Sequence, residues 1–96
     1  MDKLKRQFLG VFDLPSEITM DLPLMMLVGN NKLFLENHKG ISFFQKDEIK
    51  VKTKQGYILI SGEGLSINEI DTESLTISGE LYSIFYEYRI KEERHD

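Results

Sequence analysis

One short phrase in the chain gathers a carboxylate, an amide, an imidazole and an ammonium: Glu36-Asn37-His38-Lys39-Gly40. Such a set could support small-ligand binding or hydrolytic chemistry centred on His38, with Glu36 or Asp47 beside it. That reading needs a nucleophile or an acid held within hydrogen-bond reach. The chain contains no G-x-S-x-G, no HExxH and no glycine-rich phosphate loop to supply one. The structural reading is simpler and is preferred. Asn37 and His38 build a turn, the Asn37 side chain bonds nearby backbone, and Gly40 takes a positive φ. His95 lies in the charged tail and is read as inert. With two histidines and no cysteine, no transition-metal site is expected. The acidic residues Asp47, Glu48, Glu63, Glu69, Asp71, Glu73 and Glu80 are scattered. None has calcium-loop spacing, and a solvated face accounts for them. No enzyme activity and no cofactor are expected.

Two further groups could bind rather than react. Lys50, Lys52 and Lys54 fall on one strand face at ~7 Å intervals, with Lys46 nearby. They could meet anionic lipid or an acidic partner. Alternatively they guard an exposed strand against edge-to-edge aggregation, the preferred reading. Tyr82, Phe85, Tyr86 and Tyr88 crowd one long strand with apolar groups on both faces. Such a strand is either central in the fold or covered by another chain, and the sequence leaves both open.

The elements that carry these residues follow from hydropathy period. Leu4, Phe8, Val11 and Phe12 form one apolar stripe, which predicts a helix over Asp2–Phe12 capped by Asp2. Its apolar stripe could dock on the sheet, pair with another copy, or lie on a membrane surface. Pro15 and Pro23 punctuate an extended linker over residues 14–24. From Met25 the period becomes two. Strands are expected at Met25–Val28, Leu33–Glu36, Ile41–Phe44, Glu48–Thr53, Tyr57–Ser61 and Leu65–Ile70, then a long stretch Leu75–Tyr88 bent at Gly79. Ile49, Val51 and Thr53 should face one way and Lys50, Lys52 and Lys54 the other. Short links force consecutive strands to pair antiparallel. The expected fold is therefore all-β. It is an antiparallel meander of about seven or eight short strands, curled into a roll or small sandwich, with one short N-terminal helix. Residues 25–88 would form the β domain and residues 89–96 a charged tail.

An internal repeat stands out. Residues 60–67 read ISGEGLSI and residues 77–84 read ISGELYSI, with six of eight positions identical. Two similar strand–bulge–strand corners explain it better than two coils of a solenoid.

Composition bounds the rest. Ninety-six residues with 41% apolar content, six Phe and four Tyr suit one domain with one modest core. The absence of cysteine excludes disulfide staples and fits a reducing interior. No apolar run reaches the ~18–20 residues needed to span a bilayer, and no signal-peptide pattern opens the chain. A cytoplasmic protein is expected, with at most peripheral membrane contact. The net charge of −4 argues against nucleic acid as a partner.

Beyond these physical arguments, a set of phrases resembles the YabP/YqfC family of sporulation proteins, closest to its YqfC branch. They are Leu14-Pro15, Asp21-Leu22-Pro23, Gly29-Asn30, Glu36-Asn37-His38-Lys39-Gly40-Ile41, Gly56-x-x-x-Ile60-x-Gly62, Leu65-x-Ile67 and Ile77-x-Gly79. The resemblance runs from about Leu14 to Tyr88. It implies a small protein of endospore-forming bacteria, made in the mother cell and acting in spore assembly, with the forespore surface as an expected location. It implies docking on a membrane-bound YqfD-type protein, and the two-sided aromatic strand and amphipathic helix add self-association as the other expectation. It supplies no catalytic residue. Glu36, Asn37, His38, Lys39 and Gly40 match the family phrase, and Tyr82, Tyr86 and Tyr88 are added as candidate contacts on the residue argument above.

Overall fold

The computed structural model describes residues 22–89. The helix expected over Asp2–Phe12, most of the linker and the end of the charged tail lie outside the described residues. Among the described residues there is no helix.

Six strands form: β1 (Leu24–Val28), β2 (Lys32–Glu36), β3 (Ile41–Gln45), β4 (Glu48–Lys52), β5 (Gly56–Ile70) and β6 (Ser74–Tyr88). The fold is all-β and antiparallel throughout, as the period-two pattern requires. Six strands replace the expected seven or eight. The difference arises at Gly62-Glu63-Gly64, where the glycines bend a strand instead of ending it. β5 therefore runs for 15 residues through a segment read from sequence as a break.

The sheet order, β1-β2-β6-β5-β4-β3, also corrects the simple meander. β2 pairs with β6 and not with its sequence neighbour β3. Hence there is one continuous sheet with two edges, β1 and β3, among the described residues. Lys50 and Lys52 lie on β4, an interior strand, so they do not guard an edge.

Side-chain parity shows how this sheet builds a core. Along β5, Ile58 and Ile60 are buried, then Leu65, so the inward parity changes from even to odd. A slip of one residue would turn the apolar set outward. Bulges absorb it: the β5–β6 register shifts between Glu63 and Ser66, and again between Ser61 and Gly62. On β6 the inward series Leu75, Ile77, Leu81 continues as Ile84 and Tyr86, with Tyr82 as the extra residue at the shift. Bulges bend strands, and here they set a waist across the long β5–β6 hairpin.

The repeat occupies this waist. Its two copies pair with each other: Ile60 faces Ile84, Ser61 faces Ser83, Glu63 faces Glu80, Ser66 faces Ser78 and Ile67 faces Ile77. The first position of one copy meets the last position of the other, which is a local two-fold relation. The flanking hairpins obey it too. The Gly62 amide donates to the Asp47 carbonyl in the β3–β4 turn, and the Gly79 amide donates to the Asn31 carbonyl in the β1–β2 turn. The glycines are required by space. A Cβ on Gly62 would sit 2.1 Å from the Glu80 carbonyl oxygen, and Gly79 has a φ of +138° with 2.7 Å to the Gly64 carbonyl oxygen.

The waist divides the sheet into two wings. β1, β2 and the start of β6 form one; β3, β4 and the start of β5 form the other. Leu33, Leu35, Leu75 and Ile77 from the first join Ile49, Val51, Ile58 and Ile60 from the second in a single buried cluster. The alternation expected on β4 holds, with Ile49 and Val51 fully buried and Lys52 exposed.

Candidate functional site

The Glu36–Gly40 phrase joins the two wings at the end opposite the waist. Its segment leaves β2 in one wing and enters β3 in the other, spanning at most about 17 Å of extended chain. Asn37 makes the corner in the left-handed region, at φ 70°. Asparagine tolerates this conformation because its short amide can bond locally. Here its Nδ2 donates to the Leu22 carbonyl at 2.9 Å, fixing the entry to β1. Its backbone N–H donates to the Glu73 carbonyl at 2.7 Å.

His38 is 4% exposed and uses both ring nitrogens on backbone. The Gly40 N–H donates to Nδ1 at 2.9 Å, so Nδ1 is the acceptor. Nε2 therefore carries the proton and donates to the carbonyls of Asp71 at 3.0 Å and Ser74 at 3.3 Å. The imidazole thus clips the β2–β3 connection to the β5–β6 turn. The connection is held on its far side by β4. Lys39 N–H donates to the Lys52 carbonyl, and Lys52 N–H donates to the Gly40 carbonyl, both at 2.8 Å.

Glu36 is 1% exposed and its Oε2 accepts from Ser74 Oγ at 2.9 Å. Ser74 in turn follows a tight turn organised by Asp71. Asp71 Oδ1 accepts the N–H groups of Glu73 and Ser74 at 3.0 and 2.9 Å. These bonds to the charged form, Ser74 first and then Glu73, hold the Asp71 carboxyl below its ordinary range. Asp71 and Ser74 were not singled out from sequence. The signal was present as Asp71-x-x-Ser74, where an aspartate caps the amides two and three residues on.

This constellation fixes a joint, with both ring nitrogens of His38 engaged by backbone. A shallow depression of about 350 Å³ lies beside it, lined by Glu69, Ile70, Asp71, Ser74 and Thr76, and His38 is not in that lining. Asp47 lies in the β3–β4 turn at the waist, where its carbonyl accepts from Gly62. It therefore does not partner the imidazole. Among the described residues no three His, Asp or Glu side chains form a metal-binding group. No helix among them is long and apolar enough to cross a membrane.

The three tyrosines do not join this joint. Tyr82 is the bulge residue, 61% exposed, and its hydroxyl donates to Glu63 at 2.6 Å. That bond to a carboxylate pushes the phenol up to about 12. Tyr86 lies opposite Ile58 on the inner face and packs against the core. Tyr88 meets it edge-on at 5.6 Å and is 50% exposed. The crowded strand is thus inward at Ile84 and Tyr86 and outward at Phe85, which is 62% exposed.

An all-β single-sheet domain with a buried polar joint is the class of protein that this geometry defines. The chain belongs to the YabP family, whose family model matches residues 23–93. It is 29% identical over 85 residues to the uncharacterized protein YqfC of Bacillus subtilis (strain 168). That match covers 88% of this chain and 91% of the relative.

Proposed function

We propose that this protein is a non-enzymatic structural module of sporulation, acting by assembly in the mother cell during spore formation. Family membership supports the sporulation setting. The observation that carries the non-enzymatic reading is the engagement of both His38 ring nitrogens by backbone. The residues that most looked like chemistry are spent on joining the two wings. The module associates with itself or docks on a membrane-bound partner of the YqfD type, at the cytoplasmic side of the forespore surface.

The test is genetic, in the spore-former that carries the gene. Deletion should lower the yield of heat-resistant spores without slowing growth; an unchanged yield overturns the sporulation role. Complementation with His38→Ala, at a temperature where that variant is shown to be folded, should restore the yield. A folded His38→Ala chain that fails to restore it would point to chemistry at the imidazole.

A further inference from the structure

The two edges of the sheet differ in one decisive respect. An edge strand presents unpaired N–H and C=O groups, which proteins blunt with charge, proline or a bulge. β3 carries such a bulge, because its register with β4 shifts between Ile41 and Phe43. β1 has none. Its pairing with β2 runs unbroken from Leu24↔Glu36 to Val28↔Lys32. Its five residues, LMMLV, carry no charge. Leu27 and Val28 are 51% and 53% exposed. Among the described residues nothing pairs with its outer side.

We propose that β1 pairs antiparallel with β1 of a second copy of this chain, about a two-fold axis, so that the two sheets become one. Four observations select this occupant. An outward ladder of backbone groups takes an extended strand, and an apolar edge takes an apolar one. Two identical strands set antiparallel are two-fold symmetric, so each copy offers the complement that the other needs. The lack of charge on β1 leaves nothing to repel its own image. The bulge on β3 blocks the head-to-tail β1–β3 alternative, which would run on as a fibre. In the symmetric register Met26 stands opposite Met26 of the second copy, flanked by Met25 opposite Leu27 and Leu24 opposite Val28. Met26 shares a cross-strand pair with Phe34, on the side of β2 away from Leu33 and Leu35, so it can be changed without entering the core. A five-residue strand pair buries less than the ~1,200 Å² of a standard interface, so the dimer is concentration-dependent.

The inference deepens the assembly reading above by naming its surface and partner. The experiment is light scattering of the full chain across a concentration series, up to roughly millimolar, the range suited to a small interface. A mass rising to twice the 11.2 kDa chain is expected. Met26→Lys and Met26→Glu should each stay at the mass of one chain, since like charges then face each other. An equal mixture of the two should recover the dimer. A monomeric wild type, a dimeric and folded Met26→Lys, or a mixture that stays monomeric would each overturn the pairing. Hydrogen exchange on the unmodified chain covers the case of a variant that fails to fold. β1 amides should gain protection with concentration while β3 amides do not, and unchanged β1 exchange across the dimer transition overturns the proposal. A monomeric wild type would leave the sporulation role intact and move its contact to a different protein, which the spore count reads separately.

Discussion

At the scale of single residues, His38 does the work of a cross-link. Removing this ring, itself 4% exposed, takes the partner from the Gly40 N–H and the Asp71 carbonyl, while the Ser74 carbonyl keeps the Asp71 N–H. Each buried group left unpaired costs about 1–3 kcal/mol. His38→Ala should therefore lower stability by about 2–4 kcal/mol, and Tm by roughly 10–20 °C for a domain of this size, readable by thermal melting. Asp71 makes a pH prediction. Its carboxyl titrates lower folded than unfolded, so its contribution is present above the unfolded pKa and is lost as pH falls through the folded one. Stability should decline on acidification below about pH 4, the ordinary aspartate range. Asp71→Asn should flatten that decline, as followed by urea melts across the acid range. The left-handed turn at Asn37 and the positive φ of Gly40 were legible in the sequence because residue type alone permits them, whereas the Asn37 amide, expected to bond nearby backbone, reaches Leu22, 15 residues back. The rest of the joint was not. His38 meets Asp71 and Ser74 across 33 and 36 residues, and only the sheet order brings them together.

At the scale of elements, the waist is the feature most exposed to test. The Gly62 position has no room for a methyl group, since a Cβ would lie 2.1 Å from a backbone oxygen of β6. Backbone cannot yield as a flexible side chain would, so Gly62→Ala should cost roughly 2 kcal/mol or more. Chemical denaturation would show it as a lower midpoint. Tyr86→Asp tests the neighbouring half of β6. Tyr86 packs on the core, so an aspartate there buries a charge without a partner and should leave the purified chain unfolded by circular dichroism. A folded Tyr86→Asp would mean that the inner face of this half-strand is wetter than its packing implies. Strand identity was readable from period two because each strand has one wet face. The bend was misread as a break because Gly62-Glu63-Gly64 gives the same local signal for both. The repeat held the missing information, since two copies facing each other in antiparallel register require the strands that contain them to run through.

At the scale of the whole molecule, one core serves both wings. Leu33 and Leu35 from β2 share their cluster with Ile49 and Val51 from β4, so neither wing can keep its interior when the other is lost. Unfolding should be a single cooperative event. Native-state hydrogen exchange should give β2 and β4 the same opening free energy; a wing that exchanges separately would contradict the shared core.

The order β1-β2-β6-β5-β4-β3 also fixes a sequence of events in time. β3, β4, β5 and β6 can each find their partner next to them in the chain, and short loops close quickly. β2 finds β1 beside it, but its second partner, β6, lies far along the chain. Lys32 pairs with Ser78 and Glu36 with Ser74, so the β1–β2 hairpin waits for the last described strand. Until then its apolar edge and its half of the interior stay in water. The slow step of folding should be this late docking, and mutations in β1 and β2 should speed unfolding far more than they slow refolding.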